Sequence, residues 1–458
     1  MATLATPLPA AAPEPTYAET NRDVIATLRP PGRKYFVGMA FVLAGLAFGA
    51  FSWGWQLRYG LGVTAYQPPI FWGTYITCFV FWVGIAHSGT LISAILLLFR
   101  SGWRTAVYRT AEAMTVFAVM TAGLFPVLHL GRAWYAYWVF PYPNFRGVWS
   151  NFRSPLVWDV FAISTYLTVS STFLLMGLIP DVAAVRDQAA GWRKKLYGLV
   201  SFGWKGSDRE WRHFGKMYLY LAGFATPLVL SVHSVVSWDF AMAIVPGWHA
   251  TIFAPYFVAG AIFSGCGMVI TILVPLRKAF KLERYIQIRH FDSLAKVCLL
   301  TASIVAYSYA IEFFMAWYSG NPFERSSFYN RAFGQYWWAT WIMLTCNAFI
   351  PQLLWFQKIR TSIKALFVIS IFINIGMWFE RFVIIVTGLS HEYEPWQWSY
   401  YVPRWPELGI TLGSFCWFSM WFLLFIKFFP SIAISEVKEA LPAPVRAAGA
   451  GAGAGAHR

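Results

Sequence analysis

The chain of 458 residues is 58% hydrophobic and only 12% charged, with a mean hydropathy of +0.51. Soluble domains carry about 25% charged residues, so this composition excludes an ordinary soluble protein and indicates a polytopic membrane protein. The net charge of +16 does not indicate a nucleic-acid-binding protein, because the lysines and arginines lie in loops between apolar runs.

In chain order, a polar segment rich in proline and alanine comes first, at residues 1–34, without the apolar core of a cleaved signal peptide. Ten apolar runs follow, each with the ~20 residues that a helix needs to cross a bilayer. The runs are 35–56, 70–99, 110–140, 155–179, 214–238, 250–276, 294–318, 335–357, 363–387 and 407–429. Residues 430–458 are predicted to form a low-complexity tail, of which residues 440–458 are predicted to be disordered.

The basic residues alternate between rich and poor loops. The N-terminal segment and the loops at 100–109, 186–212, 277–289 and 358–364 hold three to seven lysines and arginines each, whereas the intervening loops hold at most two. Cytoplasmic loops of membrane proteins carry this excess of positive charge. The pattern therefore predicts that both termini are cytoplasmic.

A weak internal repeat is present at an offset of 183 residues. The stretch His129-Leu-Gly-Arg-Ala-Trp-Tyr135 aligns with Glu312-Phe-Phe-Met-Ala-Trp-Tyr318, and the same offset lays the second helix on the sixth. An even number of helices separates the copies, so the repeat is parallel, with its axis along the membrane normal. It predicts an all-α protein with two four-helix bundles, at 70–240 and 250–387, and peripheral helices at 35–56 and 407–429.

Three ionisable residues are predicted to share one membrane depth. At a rise of 1.5 Å per residue, His129, Asp159 and Asp239 lie near the outer ends of the third, fourth and fifth helices. Taken singly, each could cap a helix or face interfacial water. Together they favour a quinol site, because intramembrane ionisable residues are costly and quinol oxidation needs bases for two protons.

Further polar and aromatic residues near this depth are predicted to bind the quinol: Arg132, Tyr135, His233, His249 and Tyr256. Ordinary packing is the alternative for any one aromatic ring. His129 and His233 would also suit a haem, but a second histidine pair is missing near the inner side, where only His87 is available. The five cysteines form no CxxC pair, so we predict that the chain holds neither haem nor metal cluster.

Three other charged residues lie within apolar runs, namely Glu312, Glu380 and Arg381. They suit either structural ion pairs between helices or a proton pathway. Adjacent helical residues point about 100° apart, so Glu380 and Arg381 need not pair with each other.

Two motifs carry a resemblance to a known family. Leu128-His-Leu-Gly-Arg-Ala-Trp134 and Ile373-Asn-Ile-Gly-Met-Trp-Phe-Glu-Arg-Phe382, within ten helices in two bundles, resemble the NrfD-like membrane subunits of the polysulfide reductase family over about residues 35–430. Within that family, the chain is most similar to the quinol-oxidising subunits of bacterial alternative complex III. The histidine and both aspartates favour this type over the related subunit that lacks a quinol site.

The resemblance implies a subunit of the bacterial inner membrane that oxidises quinol, such as menaquinol, near the periplasmic face, with or without coupled proton translocation. His129, Asp159 and Asp239 match the quinol-site residues of the family. The implied partners are an iron–sulfur subunit on the periplasmic side, a second NrfD-like subunit and c-type cytochromes. A secondary transporter or ion-translocating subunit without quinol chemistry is the alternative, since repeats and buried charges suit it too.

Overall fold

The computed structural model describes residues 15–141 and 152–441. Within these ranges the chain is helical, and the only extended pairing is an isolated bridge between Gln67 and Ile70. The α-helices are α1 (Tyr17–Ala26), α2 (Arg33–Tyr59), α3 (Thr74–Leu98), α4 (Tyr108–Ala122), α5 (Leu124–His129), α6 (Pro155–Gln188), α7 (Gly191–Val200), α8 (Asp208–Ala241), α9 (Phe253–Ala279), α10 (Ile288–Tyr318), α11 (Pro322–Phe333), α12 (Trp337–Leu344), α13 (Gln357–Arg360), α14 (Ile363–Phe382), α15 (Gly388–Ser390), α16 (Trp405–Phe428) and α17 (Ile434–Glu439).

Nine helices of the described chain are long and apolar enough to cross a membrane: α2, α3, α4 with α5, α6, α8, α9, α10, α14 with its continuation to Ser390, and α16. The predicted eighth crossing, 335–357, is a composite instead. Helix α12 passes into a π-helical turn at Thr345–Phe349 and a 3₁₀ segment at Ile350–Trp355. Pro351 explains the change, because its ring clashes with the carbonyl four residues earlier in a regular α-helix.

The long helices pack as two groups. Helices α3, α4, α6 and α8 contact one another, and so do α9, α10, α14 and the composite segment. Helices α3 and α8 of the first group lie against α9 of the second. Helix α2 packs along α16 beside the first group, where Gly49 and Gly413 let the two backbones touch: a Cβ built on Gly49 would lie 2.6 Å from the Cα of Gly413.

Both terminal regions are more ordered than the sequence indicated. In the N-terminal segment 1–34, Thr16 and Glu19 form a capping box at the start of α1, and Tyr285 donates a hydrogen bond of 3.0 Å to Asp23. The prediction of a low-complexity tail from residue 430 is wrong for 430–441, because α17 is largely buried and packs against α1. Residues 442–458, the predicted disordered end, lie outside the described residues.

The buried charges of α17 hold it in place. Arg104 donates two hydrogen bonds to the Glu436 carboxylate, at 2.5 and 2.6 Å. The Ser435 backbone N–H and hydroxyl both donate to Asp181, which also pairs with Arg109 at 2.8 Å. A buried carboxylate of this kind is tolerated because its oxygens accept hydrogen bonds from charged or backbone donors.

The two copies of the sequence repeat differ in local structure. After His129 the chain leaves the helix at Leu130, turns at Gly131 with φ +72°, and continues as a 3₁₀ helix at Ala133–Val139. In the second copy Glu312 and Ala316 both lie within the uninterrupted helix α10. The parallel repeat therefore remains a prediction about helix arrangement, and it does not extend to the backbone around the matched residues.

Candidate functional site

The turn that follows α5 fixes the position of His129. Gly131 has a left-handed φ, and a Cβ there would come within 2.6 Å of Leu61, so only glycine suits this turn. His129 is thereby the last residue of α5, a short helix that packs against α3 and α4. The Nδ1 atom of His129 is buried and, in the part of the chain that the structure describes, makes no hydrogen bond.

Tyr66, which the sequence analysis did not select, lies beside this histidine. The two ring centroids are 5.6 Å apart with the rings edge to face, and the Tyr66 hydroxyl is also buried without a hydrogen-bond partner among the described residues. Burial raises the pKa of the Tyr66 phenol well above its usual value, so the hydroxyl keeps its proton and can donate it in a hydrogen bond. Buried polar atoms are almost always paired, so these two neighbouring residues, each with an unpaired polar atom, are a candidate ligand position.

A network of hydrogen bonds holds the Tyr66 ring. Tyr66 packs against Tyr75, at 5.6 Å between centroids, and stacks on Tyr401, at 6.1 Å. The Tyr401 hydroxyl hydrogen-bonds Glu407 and accepts from the backbone N–H of Thr74 at 3.0 Å. These residues come from α3, α16 and two connecting segments, so the position of the Tyr66 ring is fixed by parts of the chain far apart in sequence.

The opposite side of the network reaches the helix of His129. The Tyr75 hydroxyl donates to Gln56 at 2.5 Å, and the Gln56 amide donates to the carbonyl of Leu128 at 2.8 Å. The residue before His129 is therefore tied to α2 and α3. This pre-organisation holds the histidine and the tyrosine in one relative position.

The two predicted aspartates come together. Asp159 lies in the second turn of α6 and Asp239 in the last turn of α8, and their carboxyl groups are within hydrogen-bonding range of each other. Trp158 and Trp238 pack edge to face beside them at 5.9 Å. Asp159 is 6% exposed, and one oxygen of each carboxyl has no partner within the described chain. A pair of this kind is suited to share a single proton.

His129 and the aspartate pair are two separate polar positions and do not contact each other. Among the residues described, no hydrogen bond, ring contact or charge interaction joins His129 to either aspartate. The segment before α3 connects the two parts: a Cβ on Gly73 would touch Tyr66 and Tyr401, and the adjacent Trp72 packs on Phe240, next to Asp239.

The other predicted quinol-binding residues are dispersed. Arg132 and Tyr135 follow His129 directly, Arg132 exposed and Tyr135 packed on Trp138 at 4.6 Å. His249 is exposed in the loop after α8. Tyr256 belongs to the second group of helices, with its ring 5.8 Å from that of Tyr309. The structure thus places Tyr256 away from the His129 position.

His233 and His87 lie side by side in the interior. Their ring centroids are 4.8 Å apart, and His87 stacks on Tyr166 at 4.4 Å. His87, which was predicted to lie near the inner side, lies midway along α3 at the level of His233. Ring contact between the two histidines leaves no gap for a haem between this pair.

The second group of helices buries a separate polar cluster. Glu380 accepts hydrogen bonds from Tyr309 and, at 3.4 Å, from Asn347, and Arg381 Nη1 lies 2.6 Å from its other oxygen. Glu380 and Arg381 thus pair with each other, which the sequence analysis had not required. The π-helical turns at Thr345–Phe349 and Val383–Thr387 lie on either side of this cluster, and such turns are frequent at functional sites.

Glu312 lies near a different charged residue, Arg331. It lines a small cavity with Arg331, Tyr256 and Thr340, between α10, α11 and α12. Oxygen Oε1 of Glu312 and nitrogen Nε of Arg331 have no hydrogen-bond partner in the described chain. The described residues contain no group of three or more His, Cys, Asp and Glu side chains arranged to hold a metal ion.

Comparison with known proteins gives one family. Residues 62–391 match the family model described as "Polysulphide reductase, NrfD". The chain is 28% identical over 267 residues to a protein of Halobacterium salinarum named as a putative membrane subunit of dimethyl sulfoxide reductase, a match that covers 58% of this chain and 57% of that relative. It is 23% identical over 327 residues to a protein of Mesobacillus selenatarsenatis named as a subunit of selenate reductase, covering 67% and 71% of the two chains.

The chain thus spans little more than half the length of the first of these relatives. The family model, in contrast, covers α3 to α15 and both groups of helices described above. The match includes His129, the aspartate pair and the Glu380 cluster. The chain is therefore a polytopic membrane protein that belongs to the NrfD family.

Proposed function

We propose that this protein is the quinol-oxidising membrane subunit of a respiratory or photosynthetic electron-transfer complex of the type of alternative complex III. The observation that carries the proposal is the contact between the rings of His129 and Tyr66, each of which has a buried polar atom without a partner among the described residues, Nδ1 of His129 and the hydroxyl of Tyr66. One accepts and the other donates a hydrogen bond, which is the complement of a quinol. The two relatives are named as subunits of reductases, which supports a place in a redox complex.

The chemistry requires two bases and one electron acceptor. Oxidation of a quinol such as menaquinol to the quinone releases two protons and two electrons. His129 Nδ1 accepts the hydrogen of one quinol hydroxyl and then its proton, as a general base. The Asp159–Asp239 pair accepts the second proton, and both positions are at helix ends from which protons reach the aqueous phase.

The two electrons pass to a partner subunit, because the chain is proposed to hold no redox centre of its own. The proposed acceptor is an iron–sulfur subunit on the periplasmic face, with c-type cytochromes and a second NrfD-like subunit in the same complex.

The buried charges of the second group of helices support coupling to proton translocation. Glu312, Glu380 and Arg381 are buried, and Oε1 of Glu312 and Nη2 of Arg381 have no hydrogen-bond partner in the described chain, which is unusual for purely structural ion pairs. The same cluster supports the second candidate function, an ion- or proton-translocating subunit without its own quinol chemistry. The two candidates differ in whether the His129 position binds quinol.

The test uses the purified complex and the variant His129→Phe. A general base contributes about 10²–10⁴-fold, so quinol oxidation should fall by about that factor while the complex assembles normally. Ser164→Ala is the control, because Ser164 is exposed on the outer surface of α6. A correctly assembled His129→Phe complex that oxidises quinol at near wild-type rate across pH 6–9 would exclude the proposal and leave the translocating function.

A further inference from the structure

An open cavity of about 270 Å³ lies at the other end of α6 and α8, away from Asp159 and Asp239. Its floor is apolar and consists of Met176 and Ile179 from α6 with Phe214 and Met217 from α8. We propose that this cavity binds one anionic phospholipid, with the acyl chains along the floor and the headgroup phosphate at the rim. The inference does not rest on quinol chemistry.

The rim carries the positive charge. Arg209 and His213 line the cavity and are four residues apart on α8, so they share one face of the helix. The Arg209 side chain is exposed at the rim. His213 uses Nδ1 to hydrogen-bond the Arg209 carbonyl at 2.8 Å, which turns Nε2 away from the helix backbone.

The acidic residue at the rim, Glu210, already has hydrogen-bond partners within the chain. The Glu210 carboxylate accepts hydrogen bonds of 2.8 Å from both the backbone N–H and the hydroxyl of Ser207, in a capping box at the start of α8. Lys205, Arg212 and Lys216 are exposed nearby, and residues 186–216 contain eight lysines and arginines against three acidic residues. The rim therefore complements an anionic group, and a zwitterionic headgroup would gain less.

The aromatic residues at the rim indicate its depth in the membrane. Trp204 lines the cavity and packs edge to face on Trp211, at 5.1 Å, and on Phe214, at 5.8 Å. Tryptophan concentrates at the headgroup level of a bilayer. The cationic groups thus lie at the level of lipid phosphates and the apolar floor at the level of acyl chains, a combination that a free phosphate ion would not use.

The experiment compares the complex that contains the wild-type chain with that containing the double variant Arg209→Gln/His213→Gln. After detergent exchange, native mass spectrometry counts the lipids retained during titration with phosphatidylglycerol or with phosphatidylcholine. The wild-type chain should retain one more phosphatidylglycerol than the variant, and its apparent affinity should be about tenfold higher, since each basic residue near the surface adds to the attraction. Phosphatidylcholine should not replace the missing lipid.

The matched control is Arg212→Gln, which removes a charge from the adjacent face, where the Arg212 side chain bonds the carbonyl of Asp208 at 3.4 Å. This variant should retain the lipid. The proposal is overturned if the double variant keeps the same lipid, if phosphatidylcholine is retained equally well, or if millimolar inorganic phosphate displaces the bound phospholipid. The last result would identify a free-anion site.

Discussion

At the scale of single residues, the candidate site depends on a tyrosine that has no motif around it. Tyr66 lies between α2 and α3, and nothing in the local sequence distinguishes it from the other tyrosines near helix ends. Its position beside His129, and the absence of a partner for its hydroxyl among the described residues, are properties of the folded chain. Its proposed role is to position one quinol oxygen.

The variant Tyr66→Phe tests that role. The ring contacts with Tyr75 and Tyr401 remain, so the fold should be unchanged and only one hydrogen bond to quinol should be lost. A single neutral hydrogen bond is worth ~1 kcal/mol, so the KM for quinol should rise about fivefold with a smaller change in kcat. The measurement is steady-state quinol oxidation, with the exposed Tyr307→Phe as control. An unchanged KM would remove Tyr66 from the site.

The aspartate pair gives a second residue-scale prediction. Asp159→Asn keeps a hydrogen-bonding side chain beside Asp239 but removes one exchangeable proton. We expect slower turnover, by about 10–100-fold, and a shifted pH dependence, because the pair can no longer pass a proton between its two carboxyl groups. A pH profile of turnover from pH 6 to 9 measures both effects. A profile that coincides with that of the wild-type complex would show that the pair is structural.

At the scale of elements, helix α17 is a short segment that a buried ion pair and buried hydrogen bonds hold in place. It has only six residues, too few for a stable isolated helix, and its place is fixed by Arg104 with Glu436 and by Asp181 with Ser435. The composite segment at the eighth predicted crossing is a second element whose form depends on contacts with other helices. There Pro351 disrupts the regular helix, and the π-helical turn brings Asn347 to Tyr309 and Glu380.

Glu436→Ala should loosen this end of the molecule. Removing one partner of a buried ion pair leaves Arg104 unpaired and costs about 3–5 kcal/mol, so the thermal unfolding temperature should fall measurably. Glu439→Ala is the matched control, since Glu439 is exposed on the same helix and its loss should cost less than ~0.5 kcal/mol. Equal unfolding temperatures for the two variants would mean that the pair contributes little.

At the scale of the whole molecule, the orientation in the membrane links the two proposed sites. The alternation of basic loops predicts that both termini are cytoplasmic, which places His129 and the aspartate pair on the periplasmic side and the proposed lipid cavity on the cytoplasmic side. The two positions lie at opposite ends of α6 and α8, so one topology measurement tests both placements.

Two tryptophans with the same exposure, 61%, provide the pair of probes. Trp134→Cys should react with a membrane-impermeant maleimide added to the periplasmic side, whereas Trp192→Cys should react only after permeabilisation. The native cysteines interfere little, because four are buried and Cys416 is half-buried within α16. The reverse labelling pattern would contradict the orientation and move the quinol site to the cytoplasmic face.

Local sequence was sufficient to establish the class of protein and the approximate positions of the apolar helices, and it predicted a shared level for Asp159 and Asp239. A run of ~20 apolar residues is enough for a membrane helix, and a rise of 1.5 Å per residue converts position into depth. For the same reason the sequence indicated that Asp159 and Asp239 share a level, and the structure brings them together.

Packing in three dimensions decided which side chains at one depth meet. It paired His129 with Tyr66, separated it from the aspartates and placed His233 beside His87. It also folded residues 434–439 into a largely buried helix and gave the eighth predicted crossing a composite form. Depth in the membrane fixes only one coordinate of a residue. The rotation of each helix about its axis and the choice of its neighbouring helices depend on contacts between segments that are far apart in the chain.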